Sequence, residues 1–125
     1  MRSVNKVLLI GHLATDPEMK MTEAGHTVTS FKLATNRDWS SSDGEHHQKT
    51  DYHKVVAWRK LGEVCGEYLK KGSGVYLEGY ITNHHFKDQE GKDRKSTEIV
   101  ADSVNFITYR KNKGAEEVNL VEVPV

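Results

Sequence analysis

One stretch of this chain breaks an otherwise two-residue rhythm. Leu61, Val64, Cys65, Tyr68 and Leu69 fall at i, i+3, i+4, i+7 and i+8, which is the stripe of an amphipathic helix. Lys70-Lys71, placed in its last turn, and Gly72 just beyond are the matching end signals. The segments around it alternate or turn. The chain must therefore fold as a β-protein with a single helix set among its strands.

Residues 4–13, 27–35, 51–58, 74–82 and 97–109 read as strands. Thr15-Asp16-Pro17-Glu18 and Ala24-Gly25 mark turns, and residues 40–48 form a polar loop. Residues 83–97 read as a hairpin arm turning at Asp88-Gln89-Glu90-Gly91. The helix thus lies between the third and fourth strands, and the arm between the fourth and fifth. That order predicts an all-β OB-fold, a five-stranded Greek-key barrel whose binding surface centres on its second and third strands. Residues 1–109 make this domain, and residues 110–125 a short flexible tail.

The third strand carries the chemistry. Side chains alternate faces along a strand, so Tyr52, Lys54, Val56 and Trp58 share one face and His53, Val55 and Ala57 the other. Rings with a cation between them suit unpaired bases and their phosphates. Trp39, where the second strand ends, and Phe86, in the arm, border the same surface. Each base stacked on such a ring contributes roughly 1–3 kcal/mol, whatever its identity. Arg37, Lys49, Arg59, Lys60, Lys70, Lys71 and Lys87 are candidate phosphate contacts beside Lys54, which alone shares strand parity with the two rings. His53 faces the barrel or a subunit neighbour.

Composition sets limits. At 125 residues the chain is one domain that needs no disulfide or metal. A lone Cys65 fits a reducing compartment such as the cytoplasm. No apolar run approaches the ~20 residues of a membrane helix. Lys plus Arg and Asp plus Glu are 18 each, so the basic excess common among nucleic-acid binders is absent, and any basic groove must be local. Neither a phosphate-binding loop nor a nucleophile elbow is present, so no catalytic residue and no cofactor is expected. The pairs His46-His47 and His84-His85 lack accompanying ligands at metal spacing, so no metal site is expected.

Together, Val4-Asn5-Lys6-Val7 with Leu8 to Leu13, Asp16-Pro17-Glu18, Leu33-Ala34-Thr35 ending at Trp39, Tyr52-His53-Lys54-Val55-Val56, Leu61-Gly62-Glu63 leading to Tyr68-Leu69-Lys70-Lys71-Gly72-Ser73, Val75 to Gly79 and Asp88 to Gly91 carry a family resemblance. Residues 3–109 resemble bacterial single-stranded DNA-binding proteins. The resemblance implies an OB-fold that assembles as a homotetramer and wraps single-stranded DNA without sequence choice or cofactor, in replication, recombination and repair. Base stacking beside a basic groove is the known mechanism of that family. The resemblance carries its stacking aromatics onto Trp39, Tyr52, Trp58 and Phe86, and its interface histidine onto His53. Tyr52 and Phe86 stand where many relatives have Trp, and His84-His85 where relatives often have Arg and Lys. The chain ends Glu122-Val123-Pro124-Val125 without the acidic, Phe-terminated tip of many relatives, so recruitment of repair proteins by that route is not expected. The rival from another class is an interaction module with a poorly binding groove, which zero net charge favours and the full aromatic set opposes.

Overall fold

The computed structural model describes residues 1–112 and 115–122, with side chains described as far as Ile107. Its elements are β1 (Val7–Leu13), β2 (Glu18–Met21), β3 (Thr27–Ser40), β4 (His46–Trp58), α1 (Arg59–Tyr68), β5 (Gly74–Lys87), β6 (Asp93–Asn112) and β7 (Ala115–Glu122). Five of the strands close a ring. β1 pairs with β5, β5 with β6, β6 with β4, β4 with β3, and β3 returns to β1. All of these pairings are antiparallel except the short β4–β6 contact, Val55 beside Ile99 and Val56 beside Val100, which is parallel. This is the predicted barrel with its helix between the third and fourth strands of the ring.

Closure depends on one small residue. β1 runs along β5 and then passes to β3 at His12 and Leu13. At Gly11 the backbone lies against the Ala34 carbonyl, where any Cβ would overlap it. The barrel is filled by inward side chains of every ring strand, among them Leu13, Phe31, Leu33, Val55, Leu77 and Val104. Leu61, Val64 and Cys65 of α1 close one end. Thr29, fully buried on β3, donates its hydroxyl to the Gly62 carbonyl at 2.6 Å and pins the helix there. That bond satisfies a polar group that burial would otherwise penalise.

Three hairpins use one turn. In Thr22–His26, Ser41–Glu45 and Asp88–Lys92 the first residue donates its N–H to the fifth carbonyl, and its own carbonyl accepts the fourth residue's N–H. The fourth residue is Gly25, Gly44 or Gly91, with φ of 85°, 85° and 80°. That left-handed backbone suits glycine, and it follows a type I turn in such loops.

The turns also correct the element boundaries. The polar loop expected at 40–48 shrinks to 41–45, and β3 and β4 run through it as a ladder reaching Ser40 opposite His46. β5 and β6 likewise extend to Lys87 opposite Asp93. Two two-stranded arms therefore leave the barrel, where the sequence suggests one. The turn read at 15–18 is followed by a short strand, β2, paired to β3. The helix ends at Tyr68, so Lys70 and Lys71 lie beyond its C-cap Leu69 rather than in its last turn. β6 continues to Asn112, and residues 115–122 of the segment read as a tail form β7 alongside it. Residues 113–114 and 123–125, which include the chain end where no acidic tip is expected, lie outside the described residues.

Candidate nucleic-acid interface

β4 separates two environments within seven residues. His53, Val55 and Ala57 point toward the barrel, and the latter two are fully buried. Tyr52 and Trp58 on the other face are 64% and 44% exposed, although rings of this size are usually well covered in a core. Val56 lies between them but is covered. The alternation read from the sequence thus sorts this strand into a core side and a solvent side.

The register carries the solvent side outward. Lys54 lies beside Glu98 of β6 and pairs with it at 3.1 Å. Glu98 stands opposite Thr82 of β5, and along the same arm face come His84 and Phe86, opposite Ser96 and Arg94. Tyr52, Lys54, Trp58, His84 and Phe86 therefore share one continuous outer face. Phe86 is 44% exposed and stacks on the His84 imidazole at 6.1 Å with 19° between planes. His85 and Lys87 alternate to the other face of that arm.

Trp39 is arranged differently. The β3–β4 ladder runs without a bulge from Val28–Trp58 to Ser40–His46. By parity, Arg37, Trp39, His47 and Lys49 occupy the face of their arm opposite to Tyr52 and Lys54. Trp39 is 43% exposed, with the His47 ring stacked at 5.3 Å and the Arg37 guanidinium 5.2 Å from its centroid. A two-stranded ribbon twists strongly, so its faces rotate as it leaves the barrel. Trp39 is reached from the outer face only by passing round the arm.

The remaining predicted cations lie on other faces or elements. Lys49 pairs with Asp51 at 3.5 Å and Lys60 with Glu63 at 4.0 Å. Arg59 has φ of 58°, a left-handed backbone uncommon outside glycine, and turns the chain directly after Trp58. Lys70 and Lys71 lie in the tight connection after α1, where the Lys71 N–H donates to Asp16 Oδ1 at 2.8 Å. His53 sits at the barrel mouth, half-buried, with Nε2 2.9 Å from the Thr35 hydroxyl.

Sequence reasoning missed Lys32. It is exposed on the outer face directly opposite Lys54. Its signal is legible in retrospect, because Phe31 and Leu33 on either side are core residues and force Lys32 outward.

Both arm turns hold an acid in its charged form. The Arg94 guanidinium, at 2.8 Å, and the Lys92 and Glu90 N–H groups keep the Asp88 carboxyl below the usual range. The Ser41 hydroxyl, then the Glu45 N–H, do the same for Asp43. Burial pushes the Cys65 thiol up to about 12, which makes it an inert core group rather than a nucleophile. Among the described residues no cluster of His, Cys, Asp or Glu could hold a metal ion. No helix among them is long and apolar enough to cross a membrane.

Residues 4–107 match the Single-strand binding protein family. The chain is 43% identical over 113 residues to a single-stranded DNA-binding protein of Xylella fastidiosa, covering 90% of this chain and 69% of that one. It is 40% identical over 114 residues to single-stranded DNA-binding protein 1 of Chlorobaculum tepidum, covering 90% and 70%. Its fold is similar to that of a Plasmodium falciparum SSB solved in complex with ssDNA, with a TM-score of 0.81 and 29% identity over 86% of this chain and 98% of that one.

Proposed function

Because the chain belongs to the single-strand binding protein family, we propose that it binds and protects single-stranded DNA without sequence choice during replication, recombination and repair. Its work is binding, and it catalyses no reaction. One observation carries the site: Tyr52, Lys54 and Trp58 are exposed along the outer face of a strand whose inner face is the barrel core. A residue held outward by so fixed a strand is presented without a backbone ordering cost at binding.

The bases stack on Tyr52, Trp58 and Phe86, and the backbone follows the cations beside them. Trp39 with Arg37 and Lys49 takes the strand onward round the first arm. Lys60, Lys70, Lys71, Lys87, His84 and His85 add phosphate contacts at the margins. Titration with oligo-dT and with duplex DNA, followed by Trp fluorescence, tests the reading. Strong quenching by the single strand alone is expected. No quenching by either would favour an interaction module instead.

The protein assembles with copies of itself, as a homotetramer. Supporting this, Leu8 and Ile10 are exposed side by side on the outer face of β1, opposite Glu78 and Tyr76 of β5. An apolar strip of this kind on a barrel wall suits a partner of equal shape. His53 at the barrel mouth is the candidate residue of a second contact between protomers. Sedimentation equilibrium of wild type and of Ile10→Glu reads the assembly, and a smaller species is expected for the variant. The protein acts in the cytoplasm, at the nucleoid, where single strands are exposed.

A further inference from the structure

Lys32 and Lys54 stand directly opposite one another on neighbouring antiparallel strands. Like charges so placed repel and weaken the pair of strands that carries them. Lys54 is relieved by Glu98 at 3.1 Å, and Lys20, on the next strand, by Glu18 at 3.3 Å. Lys32 has no carboxylate within ion-pair distance among the described residues. Lys32 is exposed and lines a groove with Thr15, Asp16, Glu18 and Ser30. The acids there have other partners and neither pairs with Lys32: Asp16 Oδ1 accepts the Lys71 N–H, and Glu18 pairs with Lys20.

Position makes this uncompensated charge useful. On the outer face the cross-strand pairs run Ala34–Tyr52, Lys32–Lys54, Ser30–Val56 and Val28–Trp58. The lysine pair is therefore set between the two exposed rings of β4. Those rings are six residues apart, about 20 Å at the rise of a strand. Bases seated on both rings must be joined by a backbone that crosses the pair. We propose that Lys32 and Lys54 form a two-lysine clamp for one phosphate of bound single-stranded DNA, and that Lys32 supplies the charge that the free protein leaves unbalanced. The proposal rests on the single-strand reading above and adds a residue to it.

The test compares wild type, K32Q and K32R. Affinity for oligo-dT is measured across a salt series, and melting of each free protein is recorded. Each phosphate neutralised on a single strand contributes about −0.7 to the log–log salt slope, so between about 50 and 200 mM salt K32Q should lose about 2.6-fold less affinity than wild type per clamp. K32Q should bind more weakly at low salt and melt no lower than wild type, since it removes a repulsion. K32R should keep the wild-type slope. Wild-type affinity and slope in K32Q would overturn the clamp, as would K32R behaving like K32Q. Failure of the wild type itself to bind oligo-dT would instead remove the single-strand reading.

Discussion

The barrel and the two arms are built from the same strands yet follow opposite rules. Inside the ring, Leu33 of β3 and Leu77 of β5 are fully buried. A few residues further along the same strands, Trp39 and Phe86 stand in solvent. Hydrophobic burial holds the first region, whereas ladder hydrogen bonds and turns hold the second. The barrel can therefore fix the position of the proposed binding face while the arms carry exposed aromatics at little cost to stability. Substitutions in the two regions should then separate stability from binding.

The largest effect should come from the barrel. Leu33→Ala removes a fully buried side chain from a packed core, and should cost about 2–5 kcal/mol of folding stability. Denaturant unfolding reads the loss. Molecules that remain folded should bind oligo-dT as before, because Leu33 points away from the ligand face. A loss of affinity as large as the loss of stability would break the division.

Phe86→Ala should do the reverse. It should weaken single-strand binding by roughly 1–3 kcal/mol for each base stacked there, with a melting temperature close to that of wild type. Trp39→Ala sharpens the comparison between the arms. Its ring already holds the Arg37 guanidinium and the His47 imidazole, and its face is turned from the main path. It should cost less affinity than Phe86→Ala on short oligonucleotides and approach it on longer ones. Equal losses at every length would mean that both arms meet the strand together.

The same contrast explains what the sequence revealed. Period-two alternation is visible only where one strand face is buried and the other wet. Residues 52–58 meet that condition, and so their two faces were readable. The helical stripe of Leu61, Val64 and Cys65 was readable for the same reason, because it caps the barrel. The first arm has water on both faces, so residues 36–40 and 46–50 carry no apolar period and resemble a loop. Four exposed residues make β2, which left it unseen. Cross-strand register joins residues far apart in sequence, so the opposition of Lys32 and Lys54 and the turning of Trp39 to another face needed the structure. The aromatic identities were legible because exposed rings in polar surroundings are unusual in any fold.

The smallest effect lies at an arm tip and depends on pH. Asp88 accepts N–H bonds from Glu90 and Lys92 and an ion pair from Arg94, which lower its pKa in the folded arm. A group whose folded pKa is depressed stabilises the fold above its unfolded pKa, about 3.9 for Asp. That contribution is lost as pH falls toward and through the lower folded value. The β5–β6 turn should hold its order at neutral pH and loosen only in acid below about pH 4. Hydrogen exchange at the Glu90 and Lys92 amides follows this, since both N–H groups are bonded to the Asp88 carboxyl. Asp88→Asn should speed their exchange at neutral pH, flatten its acid dependence and leave the barrel amides unchanged. Acid loosening that reached the barrel amides at the same pH would show arm and barrel opening as one unit, and the separation between them would fail.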